Sequence, residues 1–310
     1  GDLLRGGHID FIIREAVALG ADPIRAIKMG TLHTAQYFGL KKLGAVAPGY
    51  RANLAVINNL SEIQVQKVYK GGHLVAENGQ MLQVEPKQTQ TWDEEIVQRV
   101  FHSFHCKPIQ TPDLTLKKTG NQIRVIDLVS HELITRERTE PWIERNGLAP
   151  GVDPCKDIVK LVALERHKGN GHIGIGFLGN YGLKKGAVAT SVGHDSHNLV
   201  IAGVTNEDIA AAGNRVLENE GGLAIAVDGK VVLDLPLTIA GLMSELSVEE
   251  TDRRLEQMKA LTRELGVHED IDAFMTLAFV SLPVIPKLRL NTYGVIDTEQ
   301  QQIVDAVYSI

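Results

Sequence analysis

SVGHDSHNLVIAGVTNEDIAAAGNRVLENEGGLAIAVDGKVVLDL, residues 191–235, is the stretch that decides the fold. Residues 199–204 form an apolar run of strand length, and residues 206 to about 220 follow with helical spacing. Residues 223–227 and 231–235 are two more strands separated by Asp228-Gly229, the pair that a two-residue type I′ hairpin turn requires. Strand, helix and hairpin in succession predict an α+β domain. Upstream, apolar runs at 123–129, 158–165, 173–177 and 187–190 supply further strands. Downstream, Ser247 and Glu250 form a capping box, and Val248, Leu255, Met258, Leu261 and Leu265 give the following helix one apolar face before Gly266 stops it.

Toward the amino terminus the pattern changes. Residues 8–19 place Ile9, Ile12, Ile13, Ala16 and Val17 on one side of a helix that ends at Gly20. Asp22, with Pro23 at the first helical position, starts a second helix that runs to Gly39. Both helices need a partner surface that nothing nearby in the sequence supplies. From Gly44 onward, short strands at 54–57 and 65–69, with tight turns at Gly71-Gly72 and Asn78-Gly79, predict a small antiparallel β segment. Residues 87–120 lose periodicity except for a helix around 93–101, and they read as a linker.

The chain has 310 residues, is 44% hydrophobic and carries a net charge of −6. That length suffices for two domains with cores of their own. The negative balance argues against nucleic acid as a partner. No apolar run reaches membrane-spanning length; the longest, around 278–285, is interrupted by Ser281 and Pro283. Cys106 and Cys155 stand in no metal or redox spacing, which points to a reduced, cytoplasmic compartment. The opening at Gly1, directly into a Gly-rich loop and a helix, reads as the middle of a longer protein.

Three segments carry a family resemblance. DLLRGGHIDFIIREAVALGADPIRAIKMGTLHTAQYFGL, residues 2–40, resembles the loop and helices after the eighth barrel strand in adenine deaminases of the amidohydrolase superfamily. LGAVAPGYRANLAVINNL, residues 43–60, is similar to the superfamily's return from the barrel into a small β-sandwich, with Ala52-Asn53-Leu54 where Ala-Asp-Leu is common. The quoted stretch from Ser191 is similar to the carboxy-terminal domain peculiar to adenine deaminases. The fold implied is α/β plus α+β: the last helices of a (β/α)8 barrel over 1–42, part of a composite β-sandwich over 43–86, the linker at 87–120, and an α+β carboxy-terminal domain over 121–310. The activity implied is hydrolysis of adenine to hypoxanthine and ammonia at a manganese or iron centre, in a homo-oligomer expected to be a dimer. The superfamily's metal ligands include a His-x-His pair, and this sequence contains none. No metal ligand is therefore assigned here, and the fragment alone is expected to be inactive. Two rivals remain: a non-catalytic dimerisation or pocket-capping module, and an amidohydrolase acting on another aminopurine or a cyclic amide.

The best candidate constellation is His194, Asp195, His197 and Asn198, polar groups between apolar strands, where loops carry function. Along an extended strand His194 and His197 would face opposite sides, so joint action needs a bend. The loop is expected to line the adenine pocket of the full enzyme; the competing roles are a separate metal site and structural hydrogen bonding. His8, near the expected active-site edge, competes with an ordinary first-turn histidine. His102 and His105 read as a solvated face, and His167 and His172 flank a hairpin loop. Gly169, Gly171, Gly174, Gly176 and Gly179 precede no helix, so a dinucleotide fingerprint fails. Glu245, Glu249 and Glu250 complement a helix N-terminus without any catalytic role.

Overall fold

A computed structural model describes residues 1–82 and 92–309. The chain divides into two compact units, Gly1–Thr91 and Trp92–Ile310. Residues 83–86 of the expected sandwich and 87–91 of the expected linker lie outside the described residues.

The first unit holds α1 (Asp2–Arg5), α2 (Ile9–Ala18) and α3 (Pro23–Lys28). Asp22 caps α3 by accepting from the Arg25 N–H at 2.8 Å, as the Asp-Pro pair predicts. The second predicted helix is interrupted: residues Met29–His33 form a π turn before α4 (Thr34–Tyr37) resumes. Here Thr31 and Thr34 donate back to the main-chain oxygens of Ile27 and Met29, which widens the helix locally. A four-stranded antiparallel sheet follows in sequence order: β1 (Leu54–Ile57), β2 (Val65–Lys70), β3 (His73–Glu77) and β4 (Gln80–Met81). Among the described residues of this unit only Ala26, Ala35 and Ile63 are buried apolar side chains. No residue of α2 is buried, and Ile12 is 60% exposed.

The second unit begins with α5 (Glu94–Phe101) and is built on a nine-stranded sheet. Its strands are β5 (Gln122–Leu128), β6 (Thr135–Pro141), β7 (Ile158–Leu164), β8 (Ile173–Gly179), β9 (Ala187–Thr190), β10 (Leu199–Gly203), β11 (Gly222–Val227), β12 (Lys230–Pro236) and the terminal β16 (Val307–Tyr308). The order is β12-β11-β9-β10-β7-β8-β5-β16, with β6 added on β5; β5 and β8 run parallel and the other pairs antiparallel. Helix α6 (Asn206–Glu218) covers one face. Helices α7 (Val248–Glu264) and α8 (Ala273–Val280) and a small sheet of β13 (Leu288–Asn291), β14 (Gly294–Asp297) and β15 (Gln302–Val304) cover the other.

Burial on both faces explains why β7, β9 and β10 read as continuous apolar runs rather than alternating ones. Ile209, Ala212 and Val216 of α6 pack with Val162, Ala189 and Ile201 on one side. Leu161, Val188, Val200 and Ile225 meet Met258, Phe274 and Leu277 on the other. Part of the aperiodic stretch assigned as linker is fixed to this core. Ile109 and Leu114 are fully buried, and the Asn214 side chain donates to the oxygen of Ile109 and accepts its N–H.

Strand β6 and helix α8 escape the sequence pattern. The first, TRERTEP, alternates no apolar residues because it lies on the outer side of β5 with most of its side chains exposed. The second, AFMTLAFV, is apolar nearly all round because it is buried among other elements.

Candidate functional site

The loop between β9 and β10 carries four of the predicted site residues. Its first residue, Ser191, is buried; its hydroxyl accepts from the Gly222 N–H at 2.8 Å and donates to the Gly241 oxygen at 2.6 Å. The His194 N–H donates to Ala278 of α8, and the His197 N–H turns back onto Gly193. Asp195 and His197 adopt φ of 62° and 46°, the left-handed region that side chains with a Cβ seldom occupy. The loop is therefore bent, as joint use of its two imidazoles requires.

That bend sorts the four side chains into two pairs. His194 and Asp195 are exposed, with Nδ1 and Oδ1 3.1 Å apart and the His194 ring 5.1 Å from Phe279. His197 and Asn198 are half-buried. Among the described residues, His197 Nδ1 and Asn198 Oδ1 are buried atoms without a hydrogen-bond partner, a costly arrangement. Burial, followed by the charges of Arg166 and His167, pushes the His197 imidazole below its usual pKa. The uncharged form of the ring is thereby favoured.

The element that holds this loop is Arg166, just past the end of β7, and sequence reasoning missed it. It is 2% exposed, and its Nε donates to the His197 oxygen at 2.5 Å. The sequence signal is the Glu165-Arg166 pair at the end of a strand that is apolar apart from Lys160, because charged residues are rarely buried without a specific use. Neighbouring His167 Nε2 lies 2.8 Å from the Ser196 oxygen. Burial acts to raise the Glu165 pKa, but main-chain N–H groups of His167, Lys168 and Asn170 hold the carboxylate below its ordinary value. Beside it lies an open cleft of about 260 Å³, lined by Cys106, Ile109, Leu164, Glu165 and Gly169.

The remaining candidates are not brought to this loop by any contact of their own side chains. His8 lies in the first unit, exposed, with its main-chain N–H on Asp10 Oδ1 at 3.0 Å. His102 Nδ1 is 3.6 Å from Glu220 Oε1, and the His172 ring packs 4.7 Å from Tyr293. Glu250 is held down to about 2 by hydrogen bonds from Arg253 and Arg254 on the surface of α7. Among the described residues, no three His, Cys, Asp or Glu side chains are grouped so that they could hold a metal ion. His194 and Asp195 are only a pair, so the donors described here do not fit a transition-metal centre. No described helix is long and apolar enough to cross a membrane.

Two family models match separate parts of the chain. Residues 132–302 match the family model of the adenine deaminase C-terminal domain, and residues 2–75 match that of the amidohydrolase family. The chain is similar to the adenine deaminase of Kosmotoga olearia, with 42% identity over 297 residues that cover 96% of this chain and 50% of the relative. It is also similar to adenine deaminase 2 of Carboxydothermus hydrogenoformans, with 41% identity over 98% of this chain and 52% of the relative. The adenine deaminase of Desulfatibacillum aliphaticivorans is 40% identical over 96% and 50%, respectively. The chain thus spans about half the length of the curated relatives it matches. By its matched carboxy-terminal domain and these relatives, the chain belongs to the adenine deaminase family.

Proposed function

We propose that this chain forms the pocket-lining half of an adenine deaminase, an enzyme that replaces the exocyclic amino group of adenine by oxygen from water, giving hypoxanthine and ammonia. The observation that carries this is the 42% identity to an adenine deaminase across 96% of the chain. On this proposal residues 1–42 complete a (β/α)8 barrel and residues 43–86 complete a β-sandwich. The sparse burial among the described residues of Gly1–Thr91 supports both, since helices and a sheet with open apolar faces need further elements to cover them. Manganese or iron is assigned to the part of the enzyme that this chain does not match. A cytoplasmic homodimer is the proposed setting; the two free cysteines support the compartment.

The role proposed for the loop follows from its orphaned polar atoms. Adenine offers an exocyclic amine that donates and ring nitrogens that accept, and recognition of such an edge needs matching acceptors and donors. His197 and Asn198 carry such groups on half-buried side chains, and a small opening of the loop would bring their buried Nδ1 and Oδ1 to the ligand. Binding there would satisfy groups that are otherwise desolvated without return.

The experiment compares the full-length enzyme that carries this chain with the 310-residue chain, each with Mn2+ and adenine, following hypoxanthine and ammonia. The full-length enzyme is expected to turn over and the chain alone to remain at background. A folded, metal-loaded full-length enzyme that leaves adenine untouched would overturn the activity. Hypoxanthine formed by the chain alone would overturn the assignment of the metal to the unmatched part.

A further inference from the structure

We infer that Arg166 is the positioning residue of the adenine-facing loop: its guanidinium fastens residues 193–198 in their bent conformation and ties them to two other segments, so that turnover depends on a side chain that touches no substrate. This presupposes the proposed reading that the loop lines the adenine cavity.

The geometry is that of a clamp with three arms. Nε donates to the His197 oxygen at 2.5 Å, Nη2 to the Ala240 oxygen at 3.0 Å, and Nη1 to Ser103 Oγ and O at 2.9 and 3.3 Å. The Phe104 ring lies 4.4 Å from the guanidinium carbon. A buried guanidinium is expensive unless its donors are satisfied, and these partners are main-chain oxygens and a hydroxyl rather than a carboxylate. The planar fork of arginine aims several N–H groups in fixed directions, which the single ammonium of lysine does not.

Surrounding residues are shaped to admit it. Gly241 has φ of 71°, and a Cβ there would lie 3.0 Å from the Phe104 ring and 3.1 Å from the guanidinium. Ser191, at the root of the loop, bonds the Gly241 oxygen, so the 240–241 segment is tied to the loop twice. Left-handed φ at Asp195 and His197 is strained and persists only where neighbours over-determine it. Arg166 bonds the oxygen of the strained His197 from outside the loop.

The test uses Arg166→Met and Arg166→Lys. In the 310-residue chain, hydrogen exchange in Arg166→Met is expected to rise together at 100–105, 191–198 and 237–243 while α6 stays protected. In the full-length enzyme both variants are expected to lower kcat/KM for adenine by about 10- to 100-fold, the size of loss that follows from small misplacement of binding groups. The acid limb of the pH profile separates the two. His197 faces Arg166, His167 and His194, so loss of the charge in Arg166→Met moves that limb to higher pH, whereas Arg166→Lys, which keeps the charge, leaves it in place. Exchange that rises uniformly across the sheet, or not at all, overturns the clamp. Silent Arg166 variants beside a damaging His197→Ala overturn the role of Arg166 alone. If His197→Ala and Asn198→Ala are also silent, the adenine-facing reading of the loop falls, and this inference with it.

Discussion

Lys160 Nζ donates to Asn206 Oδ1 at 2.7 Å and to the Leu114 oxygen at 2.9 Å from a strand position with no solvent exposure. It joins the sheet to the first turn of α6 and to the segment 105–116. Burial pushes its pKa down to about 8, against the opposing charge of Glu207. The folded protein thus binds fewer protons than the unfolded chain between about pH 8 and the ordinary lysine value, so stability rises with pH across that window. The full effect is on the order of 3 kcal/mol, of which about 1 kcal/mol falls between pH 7 and 9. Urea midpoints measured across pH 7–9 are expected to climb, and the climb is expected to vanish in Lys160→Met. Cys106 acts in the opposite sense above this range, because burial and then Glu165 raise its thiol to about 11. A wild-type midpoint that is flat between pH 7 and 9 would contradict a depressed Lys160.

Arg289 joins Lys160 and Arg166 as a third buried cation without a carboxylate among its hydrogen-bond partners. It is 1% exposed and donates to the oxygens of Leu288, Pro286 and Leu133, joining β13 to the segment before β6. Burial lowers it to about 10, so it remains charged at neutral pH. Arg289→Met keeps the volume but strands those oxygens, which costs about 1–3 kcal/mol. Arg289→Ala adds a cavity and is expected to lose more. Chemical denaturation at pH 7 ranks the two, and a Met variant as stable as wild type would mean that the three bonds contribute nothing.

What the sequence disclosed depended on whether the determining interaction was local. The 222–236 hairpin and the two capped helices follow from neighbours within a few positions: Asp228 and Gly229 both have positive φ, and Ser247 Oγ accepts the Glu250 N–H at 3.2 Å. Strand β6 has no such pattern, since its place is set by pairing with β5 rather than by an apolar face. The polar loop at 194–198 stood out between two apolar strands, and its need for a bend was evident from spacing alone. That His197 and Asn198, not His194 and Asp195, are the half-buried pair depends on Arg166, which lies 31 positions away from His197. No spacing rule reaches across that distance.

The hairpin and α6 are coupled through one carboxylate. Asp208, 3% exposed, accepts from the Gly229 N–H at 2.7 Å and from the Thr205 hydroxyl at 2.9 Å, while its own N–H donates back to Thr205. Asp208→Ala removes the anchor of the turn and half of the helix cap, and is expected to cost about 1–3 kcal/mol. Gly229→Ala, which forces a Cβ into φ of 72°, is expected to cost about 1–2 kcal/mol. The double variant is expected to lose less than the sum of the two, because both act on the same turn. Full additivity in thermal unfolding would show that Asp208 and the turn are independent.

The two units should differ sharply in resistance to local opening. Protection against exchange and proteolysis follows buried apolar contact, and Gly1–Thr91 has three buried apolar side chains among its described residues. The second unit has a continuous core on both faces of its large sheet. Brief thermolysin treatment of the 310-residue chain is therefore expected to leave a resistant fragment drawn from residues beyond 92. Amides of α2 are expected to exchange orders of magnitude faster than those of β7 and β10. In the full-length enzyme the same α2 amides are expected to become protected, because Ile9, Ile12 and Leu19 then have elements to pack against. Equal protection of α2 in both forms would show that the open apolar face needs no cover, and would remove the support that burial lends to a completed barrel.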